Sequence, residues 1–351
     1  MFSIFKHTQK VPEKAVQAAP VHMHDESTQK FSVKPDLKFL EQGLIQCQGC
    51  RRELRLTDDI PLAMCRCPFC ETPYFNPKFI KDFWLYEPLG GGGMGSVYHA
   101  FHIRNTNVEF AVKLLPREKK NDASLINSLL DEAHNGKKFC GHPHIANVFD
   151  YGFHEGEYYA VYEFIDGIRL DQIIDSPARR PYKQIALWAL QILSAEQHMY
   201  DCGFLYRDLK PQNIIIDRNG NAKIIDFGLA ITLEEAGKSC DEIQGSPFYI
   251  PPERITGSGE GQYSEIYSLG MVIYHVIAKQ TYYSSSDIRE LIGKHVISLR
   301  INNIAGKLPA KTHPEIIKIL NRMIDRNPNL RYQTYKDAAS DLFKFYKELA
   351  A

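Results

Sequence analysis

Eight consecutive residues decide the fold of this chain: Tyr206-Arg207-Asp208-Leu209-Lys210-Pro211-Gln212-Asn213. They follow a predicted helix and precede a predicted strand at Ile214–Asp217. Asp208 can accept a hydroxyl proton or orient an attacking oxygen. Lys210 can neutralise charge on a transferred phosphoryl group, and Asn213 offers a carbonyl oxygen to a hard cation. The stretch therefore predicts a loop suited to phosphate chemistry.

A second acidic loop follows closely. Asp226-Phe227-Gly228 comes after a short predicted strand at 222–225, and Asp226 could be a further oxygen ligand for a magnesium ion that bridges phosphates. An isolated Asp is more often a turn residue or a helix cap. That alternative does not easily explain both loops together.

A glycine-rich stretch, Leu89-Gly90-Gly91-Gly92-Gly93-Met94-Gly95-Ser96-Val97, lies between two predicted strands. Glycines let the backbone turn sharply and bring its N–H groups close to phosphate oxygens. Taken alone, a flexible hairpin explains the stretch equally well. No helix is predicted after it, which argues against a dinucleotide fold or a Walker-type loop.

Lys113 stands among apolar residues of the next predicted strand. A lysine there is costly to bury unless it is paired, although it could also extend to solvent from an edge strand. The functional interpretation is that Lys113 grips phosphates and is held by a carboxylate. Glu132, on the predicted helix Ala123–Lys138, is its natural partner.

The distribution of patterns predicts an α+β fold with a β-rich lobe followed by a helix-rich lobe, and so a cleft between them. Strands are predicted at 84–89, 96–101, 108–115, 145–151 and 158–165. Helices are predicted at 183–200, 264–278, 314–324 and 335–349.

Together these motifs resemble the eukaryotic-type serine/threonine protein kinases, in a bacterial-like form, over residues 83 to 349. The resemblance implies that Asp208 is the catalytic base with Lys210 beside it, and that Asn213 and Asp226 hold magnesium or manganese. It implies that ATP is bound by ten further residues: Leu89, Gly90, Gly92, Gly95, Val97, Ala111, Lys113, Glu132, Glu163 and Ile165. The resemblance implies that the last two belong to the hinge beside the adenine.

The segment that closes the activation loop also resembles the serine/threonine branch of the family. It reads Gly245-Ser246-Pro247-Phe248-Tyr249, followed by Pro251-Pro252-Glu253. The resemblance implies an ion pair between Glu253 and Arg331. It also implies that Arg207 can pair with a phosphate on the activation loop. Ser239 and Ser246 are the candidate phosphorylation sites, with Ser239 ranked first.

Some residues depart from the family pattern. Tyr206 replaces a usual His, and Glu265 replaces an Asp that normally anchors the catalytic loop. Gly136 stands where an apolar residue usually packs, and it lowers helix propensity. We therefore expect a soft helix around Glu132 and a conditional pair with Lys113.

Five of the eight cysteines lie between residues 47 and 70, which favours metal over a disulfide framework. Two Cys-x-x-Cys knuckles, Cys47/Cys50 and Cys67/Cys70, have the spacing of a four-thiolate structural zinc site and resemble a zinc ribbon. The alternative is free thiols in a disordered tail. Cys65 is surplus to this set.

The role of the ribbon is less defined by the sequence. Its arginines are offset by acidic residues, so no basic stripe indicates nucleic acid. We expect a regulatory protein partner or docking against the kinase lobe. The predicted divisions are a disordered tail at 1–40, the ribbon at 41–76 and the kinase domain at 83–350.

Composition sets the remaining expectations. The 351 residues are 44% hydrophobic and carry no formal net charge, which gives no global sign of a nucleic-acid or membrane partner. The start lacks a secretory apolar segment, so a cytoplasmic protein is expected. The sequence predicts a kinase that transfers the ATP γ-phosphoryl group to Ser or Thr of protein substrates. The alternative is a pseudokinase or nucleotide-binding scaffold.

Overall fold

In the computed structural model, the described residues are 33–57, 60–92, 95–238, 244–297 and 304–349. They divide into two compact units, one within 33–120 with 153–159 and one within 121–152 with 160–349. Over the described residues, no helix has both the length and the hydropathy needed to cross a lipid bilayer.

The first unit begins with the cysteine-rich region. It contains a short helix and two antiparallel hairpins: α1 (Leu37–Leu40), β1 (Leu44–Gln46), β2 (Glu53–Arg55), β3 (Met64–Arg66) and β4 (Pro73–Phe75). Each Cys-x-x-Cys knuckle forms the turn of one hairpin.

The same unit continues into four antiparallel strands in sequential order: β5 (Lys78–Ile80), β6 (Phe83–Gly92), β7 (Gly95–His102) and β8 (Asn105–Leu114). These confirm the three strands predicted there. One hydrophobic cluster joins the ribbon to this sheet, with Leu40, Ile45 and Leu54 packed beside Tyr86 of β6 and Phe101 of β7. Leu40, at the end of the predicted tail, is therefore part of a core.

The remaining elements follow in chain order. They are α2 (Ala123–Lys138), β9 (Val148–His154), β10 (Glu157–Glu163), β11 (Gly167–Arg169), α3 (Leu170–Asp175), α4 (Tyr182–Asp201), β12 (Phe204–Leu205), β13 (Ile214–Asp217), β14 (Ala222–Ile224), β15 (Ile231–Thr232), α5 (Leu233–Ala236), α6 (Pro252–Ile255), α7 (Gln262–Ala278), α8 (Ile288–Ile297), α9 (Pro314–Met323) and α10 (Tyr335–Glu348). The predicted helices are confirmed to within two residues, and α2 has the predicted bounds.

Helix α7 is the centre of the second unit. It is apolar on every side, and its residues from Ser264 to Tyr274 are all buried, as expected for a core helix. It packs against α4, α9 and α10. Glu265, near its start, is the buried carboxylate that reaches the site described next.

Candidate active site

The β13–β14 hairpin brings the two predicted acidic loops together. Ile214 lies opposite Ile224, so the loop that enters β13 is adjacent to the loop that leaves β14. A backbone hydrogen bond from the Ile225 N–H to the Asn213 carbonyl, 2.9 Å long, fixes this junction. Asp208 and Asp226 therefore lie at the same end of one hairpin, as the sequence predicted.

Asp208 is buried, and only one of its two carboxylate oxygens accepts side-chain hydrogen bonds. Its Oδ2 accepts hydrogen bonds from Lys210 Nζ at 2.7 Å and Asn213 Nδ2 at 2.8 Å. Its Oδ1 has no hydrogen-bond partner among the described residues. Because a buried carboxylate oxygen normally has a partner, Oδ1 is available to accept a hydrogen bond from a bound ligand.

The environment makes Asp208 a stronger base than an exposed carboxylate. Burial raises its pKa above the ordinary value, the negative charge of Asp226 adds to the rise, and Lys210 and Asn213 oppose it. A raised pKa moves the group toward the range useful for proton transfer near neutrality.

Asp226 adopts an unusual backbone conformation. Its φ is 66°, and its Oδ1 accepts a hydrogen bond from the Gly228 N–H at 3.1 Å. Arg207, in the neighbouring loop, also has a positive φ, of 69°. Such conformations cost free energy and concentrate at functional sites.

Phe227 anchors this loop in the core. Its buried ring makes edge contacts with Phe139 and Tyr206, at centroid distances of 5.6 and 6.4 Å. A Cβ at Gly136 would lie 2.5 Å from Phe227 Cδ2. Gly136 is therefore explained by the ring that fills the space beside it.

Two family departures retain their anchoring contacts. The Tyr206 hydroxyl donates to the carbonyl of Ile225 at 2.8 Å, just before Asp226. The longer Glu265 still reaches the catalytic loop, where its Oε2 accepts from the Arg207 backbone N–H at 3.0 Å. The extra methylene does not remove this anchor.

Glu132 is buried and accepts a hydrogen bond from the Tyr162 hydroxyl at 2.8 Å, a contact that the sequence analysis missed. Its helix is continuous and capped at its start by Asp122. Lys113 lies in the first unit and Glu132 in the second, so their pairing stays a prediction.

The hinge candidates have defined partners. The Glu163 backbone N–H donates to the Asn147 carbonyl at 2.8 Å, which leaves the Glu163 carbonyl oxygen as its candidate group. The Glu163 side chain accepts from Asn147 and pairs with Lys223. Ile165 is buried.

In the first unit, the glycine-rich residues form the end of the β6–β7 hairpin. Gly90 pairs with Val97, and Gly92 pairs with Gly95. Gly95 has a φ of 150°, and a Cβ there would lie 2.6 Å from the Leu114 carbonyl oxygen, so this position requires glycine.

The pairing of β7 with β8 places Val97, Ala111 and Lys113 on one face of the sheet. Val97 lies directly opposite Lys113, and Ala111 is two residues from Lys113 on the same strand. Side chains two apart on a strand point to the same face. Leu89 is exposed just before the hairpin end.

The predicted structural ion pair is present. Arg331 contacts Glu253 through NH1 at 2.7 Å and NH2 at 2.9 Å, and both side chains are buried. The guanidinium also stacks over Tyr267 at 4.7 Å. This bidentate pair joins the start of α6 to the loop before α10.

The serine and threonine residues of the activation loop differ in their surroundings. Ser246 is half-buried, and its carbonyl accepts from the Tyr249 N–H. Thr232 caps α5. Ser239 lies outside the described residues.

The guanidinium of Arg207 is already paired. Its NH2 lies 2.9 Å from Glu260 Oε1, and both side chains are buried. Arg254 contacts the same carboxylate at 2.6 Å. The roles of Arg254 and Glu260 could not be predicted from the sequence because neither residue belongs to a local motif.

The four predicted zinc ligands converge. The Sγ atoms of Cys47, Cys50, Cys67 and Cys70 all lie within 4.8 Å of one another. Cys47 and Cys70 are 3.6 Å apart, and Cys50 and Cys67 are 3.7 Å apart. A tetrahedral ion with Zn–S bonds of about 2.3 Å requires S···S distances of roughly 3.8 Å, so the cage fits zinc. Cys65 instead points to the Ala63 carbonyl.

Comparison with known proteins supports the same family. The protein kinase domain model matches residues 83–343. A probable serine/threonine-protein kinase of Clostridium perfringens is 29% identical over 75% of this chain and 38% of its own length. PrkC of Bacillus subtilis is 29% identical over 74% of this chain and 39% of its own length. PknB of Mycolicibacterium smegmatis is 31% identical over 78% of this chain and 44% of its own length. The matches thus span less than half of each relative.

Proposed function

Because the chain belongs to the protein kinase family, with a β-rich N-lobe and a helical C-lobe, we propose that it is a serine/threonine protein kinase. It would transfer the γ-phosphoryl group of ATP to Ser or Thr hydroxyls of protein substrates. The observation that carries this proposal is the half-satisfied Asp208, whose Oδ1 lacks a partner among the described residues.

Asp208 would orient the substrate hydroxyl and take its proton through Oδ1. Lys210 and Asn213 hold the other oxygen, so the carboxylate cannot rotate freely. Lys210 also brings a positive charge to this site, where negative charge develops on the transferred group. Positioning and charge neutralisation are the main demands of phosphoryl transfer.

Asn213 and Asp226 would hold magnesium. The donor set fits, because an amide oxygen and a carboxylate are the hard oxygen ligands that this ion prefers. When bound, the ion supplies neutralisation of phosphate charge. Burial of Asn213 and the Asx turn at Asp226 fix both side chains in advance.

The nucleotide roles predicted in the first unit are part of the proposal. The backbone of Gly90, Gly92 and Gly95 would bind phosphates, and Lys113 would contact the α- and β-phosphates. The adenine would be covered by Leu89, Val97 and Ala111 and bound by the backbone at Glu163 and Ile165. Glu132 would pair with Lys113.

We propose that the ribbon binds structural zinc and braces the N-terminal sheet. The hydrophobic cluster that it shares with Tyr86 and Phe101 supports bracing. A regulatory protein bound by the ribbon, the absence of nucleic-acid binding and a cytoplasmic location stay predictions from the sequence.

The test is phosphorylation of three peptide libraries whose fixed acceptor is Ser, Thr or Tyr. We expect labelling of the Ser and Thr libraries by the wild type and none by Asp208→Asn. Asp201→Asn, at the exposed end of α4, is the matched control and should match the wild type. ATP binding without transfer by the wild type would instead indicate a nucleotide-binding scaffold, and equal labelling by Asp208→Asn would remove Asp208 from its role.

A further inference from the structure

The catalytic loop is joined to a carboxylate that lies beyond the activation segment, defined here as residues 226–253. Arg207 precedes Asp208, and its NH2 lies 2.9 Å from Glu260 Oε1. Both side chains are only 6% exposed. The Nε of Arg207 has no acceptor within the described ranges, so Glu260 supplies the charge partner of this guanidinium.

Arg254 fixes the other side of the same carboxylate. Its Nε and NH2 contact Glu260 Oε2 at 2.7 and 2.6 Å. Its NH1 donates to the backbone carbonyl of Arg207 at 2.6 Å. Glu260 is therefore shared by two buried arginines, and one of them also holds the catalytic-loop backbone.

A second carboxylate completes the cluster. Glu265 accepts from the Arg207 N–H at 3.0 Å and lies 3.4 Å from Arg254 NH2. Burial raises the pKa of Glu265 to about 7, and the charge of Arg254 opposes this rise. Two buried glutamate side chains therefore face two buried arginine side chains in this cluster.

Two further acidic residues lie beside the cluster. Glu235 of α5 lies near Arg207 and contributes negative charge there. Glu196 of α4 faces Glu265, and burial raises its pKa well above the ordinary value, which favours the neutral acid. A phosphate placed here would compete with Glu260 for the donors of Arg207 and Arg254.

Glu260 also contacts the activation segment. Its backbone N–H donates to the Ala236 carbonyl at 2.9 Å, at the end of α5. Gly245, in the same segment, lies against Arg254, where a Cβ would come within 3.1 Å of NH1. The cluster thus connects the catalytic loop with both described parts of the segment.

We propose that Glu260 is a positioning residue, a resident counter-ion of Arg207 that holds the catalytic loop without phosphate on the activation segment. The inference rests on the proposed function, since the loop that it positions carries Asp208. It is an alternative to the sequence-based prediction that Arg207 pairs with a phosphate on the activation loop.

The first test does not depend on activity. Full-length protein is treated with phosphatase, shown by mass spectrometry to carry no phosphate, and compared by hydrogen exchange with Glu260→Gln treated in the same way. We expect amides in 203–213 to exchange at least about tenfold faster in Glu260→Gln, with α10 unchanged as the indicator of an intact fold. Glu234→Gln, on the exposed face of α5, is the matched control and should leave the exchange unchanged. Equal exchange in wild type and Glu260→Gln would overturn the proposal.

The second test needs no variant and separates this inference from the proposed function. Initial rates of peptide phosphorylation are measured before and after phosphatase treatment of the wild type. The proposal expects rates within about twofold of each other, without a lag. A loss of at least about tenfold after treatment would overturn it. Inactivity of both forms would refute the kinase function, and the hydrogen-exchange result would still decide the role of Glu260.

Discussion

Replacing Gly136 with alanine tests the packing between α2 and Phe227. Helix propensity alone predicts that Gly136→Ala stabilises α2 by about 1 kcal/mol. The structure predicts the opposite sign. The new Cβ would lie 2.5 Å from Phe227 Cδ2 and 2.8 Å from Val148 Cγ2, well inside van der Waals contact.

The neighbours have little room to move. Phe227 is 1% exposed, and its ring is enclosed by Phe139 and Tyr206. Overpacking of this kind costs about 1–3 kcal/mol, which equals or exceeds the propensity gain. We therefore expect Gly136→Ala to lower the free energy of unfolding by up to about 2 kcal/mol.

Urea unfolding followed by far-UV circular dichroism measures this difference. Asn127→Ala, at an exposed position of the same helix, is the matched control. It gains helix propensity without a clash and should stabilise by roughly 0.5 kcal/mol. If Gly136→Ala stabilises the protein as much as Asn127→Ala does, the argument that Phe227 requires the glycine is refuted.

Three further perturbations have defined outcomes. Glu253→Gln leaves the buried charge of Arg331 without its partner and should destabilise by about 3–5 kcal/mol, measured as a lower melting temperature; an unchanged melting temperature would contradict the pairing. Burial lowers the pKa of His295 from 6.5 to about 4, so the folded state binds its proton less readily than the unfolded state. The free energy of unfolding should therefore be unaffected by His295 above pH 6.5 and should fall by roughly 3 kcal/mol as the pH drops towards 4. Denaturation curves of His295→Gln measured against pH should lack this decrease. Cys67→Ser should remove bound zinc, measured by elemental analysis, whereas Cys65→Ser should retain it; zinc retained by the first variant would exclude the four-thiolate site.

Much of the candidate site could be predicted from patterns within short stretches of the sequence. The bounds of α2 and the β13 strand follow from periodicity and β-branched content, and the convergence of Cys47, Cys50, Cys67 and Cys70 follows from knuckle spacing. Asp208 and Asp226 could be assigned to one site because the motifs that contain them resemble those of the protein kinases. Each of these inferences uses residues that are close in the sequence.

The features that were missed depend on contacts between distant segments. Gly136 was expected to soften α2. The structure instead shows that glycine is needed at this position because the Phe227 ring, distant in the sequence, packs against it in the folded chain. Glu260 belongs to no motif, and its role can be inferred only from the two buried arginines that contact it. A charged residue looks solvent-exposed in a sequence until its partners are known.

The central claim is that Asp208 receives the substrate hydroxyl beside the transferred phosphoryl group. Single-turnover transfer from γ-labelled ATP with magnesium to a Ser peptide tests it most directly, with wild type and Asp208→Asn compared at saturating ATP. The account predicts that the transfer rate falls by about 10²–10⁴-fold in Asp208→Asn while the dissociation constant of ATP is unchanged. Equal transfer rates for the two proteins would contradict it.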